Sequence, residues 1–142
     1  MQAFILESAN RPGEFARTAQ AIATRDINVA AIAIGLGSRG SAAFLAHDEA
    51  GVRNALTTAG LTYHEVPVLT VWLEDKPGTA AKTAKKLADA GVNIELFAPV
   101  EAPPPPPTLA IGVDKIDEAK RVLNDQLIKW EVPQPVPAGL TR

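Results

Sequence analysis

Hydrophobic and polar positions follow one pattern that is laid down twice along this chain. QAFILES (2–8) and VLTVWLE (68–74) are short apolar runs, each closed by a turn signal, and read as strands. Behind each comes a Pro-Gly pair, Pro12-Gly13 and Pro77-Gly78. The proline is expected at the first helical position, where its ring presets φ and its missing N–H is not needed. Phe15, Ala19, Ile22 and Ala23 then form an apolar stripe of helical period, repeated as Ala80, Ala84, Leu87 and Ala88. A second strand starts at Ile27 or Val92 and alternates through Val29, Ala31 and Ala33, or Ile94, Leu96 and Ala98. SAAFLAH (41–47) and TLAIGV (108–113) predict third strands. DEAGVRNALTTAG (48–60) and DKIDEAKRVLNDQ (114–126) predict second helices, with Asp48 and Asp114 as N-caps. LTYHEV (61–66) and LIKWEV (127–132) are the expected final strands.

The doubling extends to residue identity. NRPGEFARTAQAIATRDINV (10–29) lies over DKPGTAAKTAKKLADAGVNI (75–94) at a constant offset of 65, with Pro12, Gly13, Ala16, Thr18, Ala19, Ala23 and Asn28 recurring. The expected architecture is α+β: two tandem ferredoxin-like βαββαβ units, at 1–66 and 67–133, followed by a proline-rich tail at 134–142. In such a unit the helices cover one face of an antiparallel sheet. Phe4, Leu6, Phe44 and Ala46 share the parity that should meet the helices, as do Leu69, Val71, Leu109 and Ile111. The opposite face carries Ile5, Ile32, Leu45, Thr70, Trp72 and Phe97. It is too apolar for a bare surface and is expected to pack against another copy.

GLGSRG (35–40) matches the glycine pattern of dinucleotide-binding loops, but such a loop must run from a strand into a helix, so that the helix N-terminus meets the phosphate. Here it runs from strand to strand, and its counterpart leads into PPPPP (103–107), which has no N–H groups to offer. The glycines are read as hairpin residues.

Charge and composition narrow the function. A net charge of −2 supplies no basic field for nucleic acid, and Ser41 and Ala43 stand where an RNA-recognition motif needs stacking aromatics. An acylphosphatase-like phosphate cradle fails because Pro12 removes a donor it needs. There is no cysteine, and His47 and His64 lie in different strands without metal spacing or paired carboxylates, so no catalytic, metal or cofactor residue is assigned. The segment MQAFILESANRPG lacks a basic leader and no apolar run approaches the ~18 residues of a membrane span, which leads to the expectation of a cytoplasmic protein.

The polar features that repeat are the turn before the first helix and the start of strand two. Asn10-Arg11-Pro12-Gly13 and Asp75-Lys76-Pro77-Gly78 put an amide or carboxyl group beside a helix N-terminus, whose free N–H groups suit a ligand carboxylate. Asn10 and Asp75 can accept from an ammonium group, and Asn28 and Asn93, expected one residue inside strand two, can donate or accept. Carboxylate and ammonium together describe an α-amino acid. Asn or Asp before Pro is equally a common cap or Asx-turn.

NRPG and DKPG, each followed by a helix and then by D-I-N-V or G-V-N-I, resemble the first half of the ACT domain. The chain resembles a stand-alone tandem ACT protein over nearly its whole length. The resemblance implies units paired side by side through strand two into an eight-stranded sheet. It implies a homodimer without catalytic activity, an amino acid or similar zwitterion as ligand, and a regulated enzyme supplied in trans. Its site residues would be Asn10, Arg11, Pro12 and Gly13 facing Asn93 and Ile94, and Asp75, Lys76, Pro77 and Gly78 facing Asn28 and Val29. The alternative is a protein-interaction or structural module with degenerate ligand sites.

Overall fold

The computed structural model describes residues 1–74, 76–100 and 108–127. Asp75, the PPPPP run, the tail at 134–142 and the last expected strand beyond Leu127 lie outside the described residues. The first half of the chain contains β1 (Gln2–Ala9), α1 (Glu14–Ala23), β2 (Ala30–Leu36), β3 (Arg39–Leu45) and α2 (Glu49–Thr58). It leads into β4 (His64–Trp72), then α3 (Thr79–Asp89), β5 (Ile94–Pro99), β6 (Thr108–Val113) and α4 (Ile116–Val122). The six strands form one antiparallel sheet in the order β2-β3-β1-β4-β6-β5.

Two strands were expected where β4 runs as one. LTYHEV and VLTVWLE are joined through Pro67 because no residue between them imposes a turn. Pro67 pairs with Gln2 at the point where β4 leaves β1, and from Val68 onward β4 takes β6 as its partner. Proline is tolerated where a ladder ends, since the lost donor matters least there. The expected boundary between residues 66 and 67 therefore falls inside a continuous strand. The second half is also displaced along the strand direction: Val68 N–H donates to the Met1 carbonyl, so the second half begins level with the start of β1.

Strand parity sorts the core as expected on one face. Phe4, Leu6, Ala42, Phe44 and Ala46 pack with Ile22, Val52 and Leu56 of α1 and α2. Leu69, Val71, Ile111 and Val113 pack with Leu87 of α3, Ala119 of α4 and Leu123. Glu65, which pairs with Phe4, has the same parity along β4 as Leu69 and Val71, so all four helices lie on one face.

The opposite face departs from expectation. Ala3, Leu45, Val68 and Ala110, one from each of the four central strands, form a third buried cluster flanked by Ile5, Leu96 and Val100. Among the described residues no helix lies on this side. The sheet curls toward it, so the centre of the face expected to await another copy, at Leu45 and Thr70, is buried within the chain, while Ile5 and Ile32 are half-buried and Trp72 stays exposed. Residues beside both edge strands, Val29 at β2 and Val100 at β5, line one cavity there together with Thr70. A bulge between Ile94 and Leu96 makes this packing possible by shifting the alternation of β5. Ile94 then faces the helix-side core, Leu96 faces the concave cluster, and Phe97 pairs with Ile111 on the helix side rather than on the face expected from its parity. Gly112 keeps this crossing uncrowded. A Cβ there would stand 3.0 Å from both the Leu96 Cβ and the Val66 Cγ1, tight enough that both strands would have to give.

β2 and β5 occupy opposite edges of the sheet, so the two halves of one chain do not pair through strand two. Their junction is the shared strand β4. Among the described residues no helix is long and apolar enough to cross a membrane.

Candidate functional site

Both Pro-Gly pairs build the same device. Arg11-Pro12-Gly13-Glu14 is a type II turn, with Glu14 N–H donating to the Arg11 carbonyl at 3.4 Å and Gly13 at φ 89°, ψ −15°. Lys76-Pro77-Gly78-Thr79 repeats it, with Thr79 N–H on the Lys76 carbonyl at 3.3 Å and Gly78 at φ 86°, ψ −6°. A type II turn favours proline second and needs positive φ third, which is the reason for Pro-Gly in both halves. The prolines therefore stand two residues ahead of α1 and α3 rather than at their first helical positions.

Asn10 has a use that its position before proline does not announce. Its backbone N–H donates to the Ser38 carbonyl at 3.0 Å and its side-chain Nδ2 to the Gly37 carbonyl at 2.9 Å. It thus clamps the β2–β3 hairpin instead of capping α1, which has no side-chain cap. The hairpin glycines fit this contact. Gly37 has φ +61° in the two-residue turn, and a Cβ on Gly35 would fall 2.6 Å from the Asn10 amide. GLGSRG is a turn shaped to receive the loop before α1, in keeping with its reading as a hairpin.

Loop and hairpin enclose a cleft of about 140 Å³. Ser8, Asn10, Arg11, Glu14, Thr18 and Ser41 supply its polar lining, and Leu6, Phe15 and Ala42 its apolar floor. The volume lies below the roughly 300–1,000 Å³ of sites for drug-sized ligands and suits a small metabolite. Arg11 Nε donates to Glu14 Oε1 at 2.7 Å and Arg17 reaches Glu14 Oε2 at 3.2 Å. The Arg11 hydrogen bond holds the Glu14 carboxyl below its ordinary value of 4.5, with Arg17 adding to it and desolvation opposing both. A depressed carboxyl pKa contributes stability that is present above the ordinary value and is lost as pH falls through the lowered one. The loop pairing is therefore expected to persist through neutral and mildly acidic solution and to open only below 4.5. The Glu14 side-chain carbon shift, followed by NMR, should titrate below that value and move back toward it in Arg11→Ala. An unchanged titration in the variant would remove Arg11 as the cause.

The remaining expected site residues divide. Asn28 and Val29 lie just before β2, and Asn93 just before β5, rather than one residue inside strand two. Asn93 N–H donates to Asp114 Oδ1 at 2.8 Å, and Asp114 N–H reaches the Asn93 carbonyl at 3.3 Å. Asp114 is thereby committed to this loop and does not cap α4, whose N-cap is Lys115. Asp48 caps α2 as expected, accepting from Gly51 N–H at 2.9 Å. Asn28 and Val29 line the concave-face cavity with Thr70 and Val100 of the second half; Lys76, Pro77 and Gly78 are not in its lining.

The pairing of the Asn10 loop with Asn93 and Ile94 of the same chain is not what the structure forms. Asn10 lies beyond the far end of the eight-residue β1, roughly 27 Å along the strand from Gln2. Ile94 pairs with Val113, one residue past the Val68–Gly112 pair that is level with the start of β1. β4 and β6 also stand between β1 and β5. Among the described residues no group of three or more His, Asp or Glu side chains could hold a metal ion.

No family profile and no curated protein matches the sequence. Solved structures do match over most of the chain. A Bacteroides thetaiotaomicron protein superposes with a TM-score of 0.73 at 20% identity, covering 89% of this chain and 90% of that one. The ligand-free regulatory subunit of aspartate kinase from Thermus thermophilus gives 0.61 at 24% identity, covering 88% and 90%. The corresponding subunit from Thermus flavus gives 0.58 at 21%, covering 87% and 90%. The chain has the fold of the aspartate kinase regulatory subunits. It is an α+β arrangement, one curled six-stranded antiparallel sheet with four helices among the described residues.

Within that regulatory-subunit fold, sequence reasoning passed over Thr18 and Thr83. Both are buried helix residues, and Thr18 lines the cleft. The Thr18 hydroxyl donates to the Glu14 carbonyl at 3.4 Å, which lets a polar side chain sit on the inner face of α1. Their recurrence at an offset of 65 was the available signal, masked by the assumption that only apolar residues face the core.

Proposed function

We propose that this protein is a non-catalytic, amino-acid-sensing regulatory module of the tandem ACT type, with units near 1–66 and 67–133, that acts as a cytoplasmic homodimer on an enzyme supplied in trans. The observation that supports it best is the cleft at the Asn10–Glu14 turn, where Asn10, Arg11 and the hydroxyls of Ser8 and Ser41 surround a space of metabolite size. Arg11 and the amide donor of Asn10 suit a carboxylate, and Glu14 suits an ammonium group.

Strand two completes the site across two copies rather than within one. A two-fold antiparallel pairing of β2 strands centred on Ala33 would set Asn28 of one copy opposite Ser38 of the other. That is the hairpin turn that the Asn10 side chain already grips. The joined sheets would be continuous through the β2 edges, which is where the eight-stranded pairing of two first units belongs. β2 is suited to this: AAIAIGL has no charge and no proline. β5 carries a bulge and ends on Pro99, which blunt an edge. The loop of Asp75, Lys76, Pro77 and Gly78, with Asn93 and Ile94, forms the corresponding second set, and the blunted β5 edge favours the first set as the responsive one. Ligand bound at a joint between copies biases their association, which is how a module without chemistry of its own can signal.

The test is a thermal-shift panel of the twenty amino acids on the full chain. A ligand at a hundred times its dissociation constant adds about 2.7 kcal/mol of stability. One amino acid or a chemically related few are expected to raise the melting temperature, and Asn10→Ala should abolish the response. If none of the twenty shifts the wild-type protein, the sensor reading gives way to the interaction-module reading, which the exposed Ile34 and Leu36 would serve equally well.

A further inference from the structure

The charged groups of the Asn10 cleft stand in an order that a small ligand has to match. Arg11 and Glu14 both line it, and Arg11 gives one N–H, at Nε, to Glu14 Oε1 at 2.7 Å. Arg17 approaches from the other side and reaches Glu14 Oε2 at 3.2 Å. The two arginines thus pin the Glu14 carboxylate in one position, with its side chain 13% exposed against 70% for Arg11. Neither group is exhausted by these bonds. A guanidinium has several further N–H donors in a fixed fork, and an ionised carboxylate accepts about four hydrogen bonds. The Asn10 amide likewise gives one N–H to the Gly37 carbonyl and has a second to offer. Among the described residues that line the cleft, Glu14 is the one carboxylate.

We infer that Glu14 is the specificity-determining residue of this cleft: it makes an ammonium group on the ligand a requirement and turns away carboxylates that lack one, the 2-hydroxy and 2-oxo acids. A ligand carboxylate on the open N–H groups of Arg11 and Asn10 comes to lie close to a second, fixed carboxylate. Like charges at short range oppose one another, and partial burial removes some of the water that would screen them. An ammonium group on the adjacent carbon answers Glu14 and leaves positive and negative groups alternating around the site. A 2-hydroxy acid of the same skeleton keeps the repulsion and offers Glu14 only a neutral donor. Because Arg11 and Arg17 hold Glu14 before any ligand arrives, the discrimination needs no rearrangement. The Arg11 hydrogen bond also keeps the Glu14 carboxyl below its ordinary pKa, so its charge is present at neutral pH. The inference rests on the amino-acid reading of this cleft and adds to it the residue that enforces the ligand class.

The experiment is an amide NMR titration of the full, nitrogen-labelled chain with glycine and with glycolate, at neutral pH and matched ionic strength. Both probes carry a carboxylate on one methylene and differ only in ammonium against hydroxyl. Shifts at the Asn10, Arg11 and Phe15 amides should give glycine a dissociation constant about tenfold or more below that of glycolate, the effect of one charge-assisted contact. Glu14→Gln, which keeps the shape and removes the charge, should erase most of that ratio by weakening glycine while glycolate binds as tightly or tighter. Glu7→Gln removes a carboxylate of β1 that does not line the cleft, and should keep the ratio. The inference is overturned if wild-type protein binds glycolate as tightly as glycine, or if the ratio survives Glu14→Gln. It is overturned equally by loss of both probes together in that variant, by the same change in Glu7→Gln, or by no shift at these amides with either probe. The thermal-shift panel judges the sensor reading separately. An amino acid that raises the melting temperature while the ratio survives Glu14→Gln sinks this inference alone, and a panel without a responder removes the reading on which it rests.

Discussion

Phe44→Ala is expected to cost about 3–5 kcal/mol of folding stability, the range for truncating a buried phenylalanine. Phe44 is fully buried on β3, between β2 and β1, and faces both helices of the first half. Its ring stacks on Phe15 with centroids 5.9 Å apart and planes 6° from parallel. It pairs directly with Phe4, whose ring meets Tyr63 at 5.7 Å and carries the Arg53 guanidinium over its face. Removing Phe44 thus opens a cavity at the centre of the cluster and leaves Phe15, already half-exposed on α1, without its support. Phe15 also lines the Asn10 cleft, so the same change should loosen that site. Against a typical total of about 5–15 kcal/mol, the loss is large enough to show as a fall in both urea midpoint and melting temperature. Trp72→Ala is the contrast: at 43% exposed it should shift stability by much less. Equal losses from the two would mean that the helix-side cluster does not dominate this half.

The contrast between these two aromatics was legible in the sequence, because alternation assigns faces to Phe4, Phe44, Leu69 and Val71 without reference to anything distant. The repeat likewise disclosed a doubled strand-helix-strand-strand-helix unit. What the sequence did not disclose depends on contacts far apart along the chain. That β4 is one strand follows from β1 ending beside Pro67 and β6 taking over, a matter of partners rather than of local propensity. The bulge before Leu96 inserts one residue into an otherwise regular alternation, and only the Leu96–Gly112–Val66 contact shows why it is there.

The candidate site shows the same division. Pro12-Gly13 and Pro77-Gly78 were recognisable as a repeated turn, yet their role as type II turns ahead of the helices required φ and ψ. Asn10 was expected in the loop ahead of the first helix, and it lies there, between β1 and α1. Its partner is a hairpin carbonyl 27 residues away, and no spacing rule predicts such a pairing. The placement of Asn28 and Asn93 before rather than within strand two reflects the usual uncertainty of one or two residues at an element's end. The distance between the Asn10 loop and Asn93 within one chain has a larger reason. The two similar halves share β4 end to end, which staggers them instead of setting them edge to edge.

Ile34→Asp is expected to abolish association of the proposed dimer while leaving the fold of each copy intact. Ile34 is 64% exposed on an edge strand, with Ile32 beside it on the same face and Leu36 at 84% beyond. In a pairing centred on Ala33, Ile34 of each copy stands opposite Ile32 of the other, so the substitution acts twice. Burying one such side chain is worth about 1.5–3 kcal/mol, and losing two gives about 3–6 kcal/mol before any charge repulsion. At 1.4 kcal/mol per decade, the dissociation constant should rise about a hundred- to ten-thousand-fold. Sedimentation velocity should show a dimer for wild-type protein and a monomer for Ile34→Asp at the same concentration, with far-UV circular dichroism unchanged. Trp72→Ser, which removes an exposed aromatic remote from β2, should leave the dimer in place. If the wild-type protein is monomeric at every concentration tested, or if Ile34→Asp sediments with it as a dimer, strand two does not join the copies. The ligand site would then have to be completed without Asn28 of a second chain.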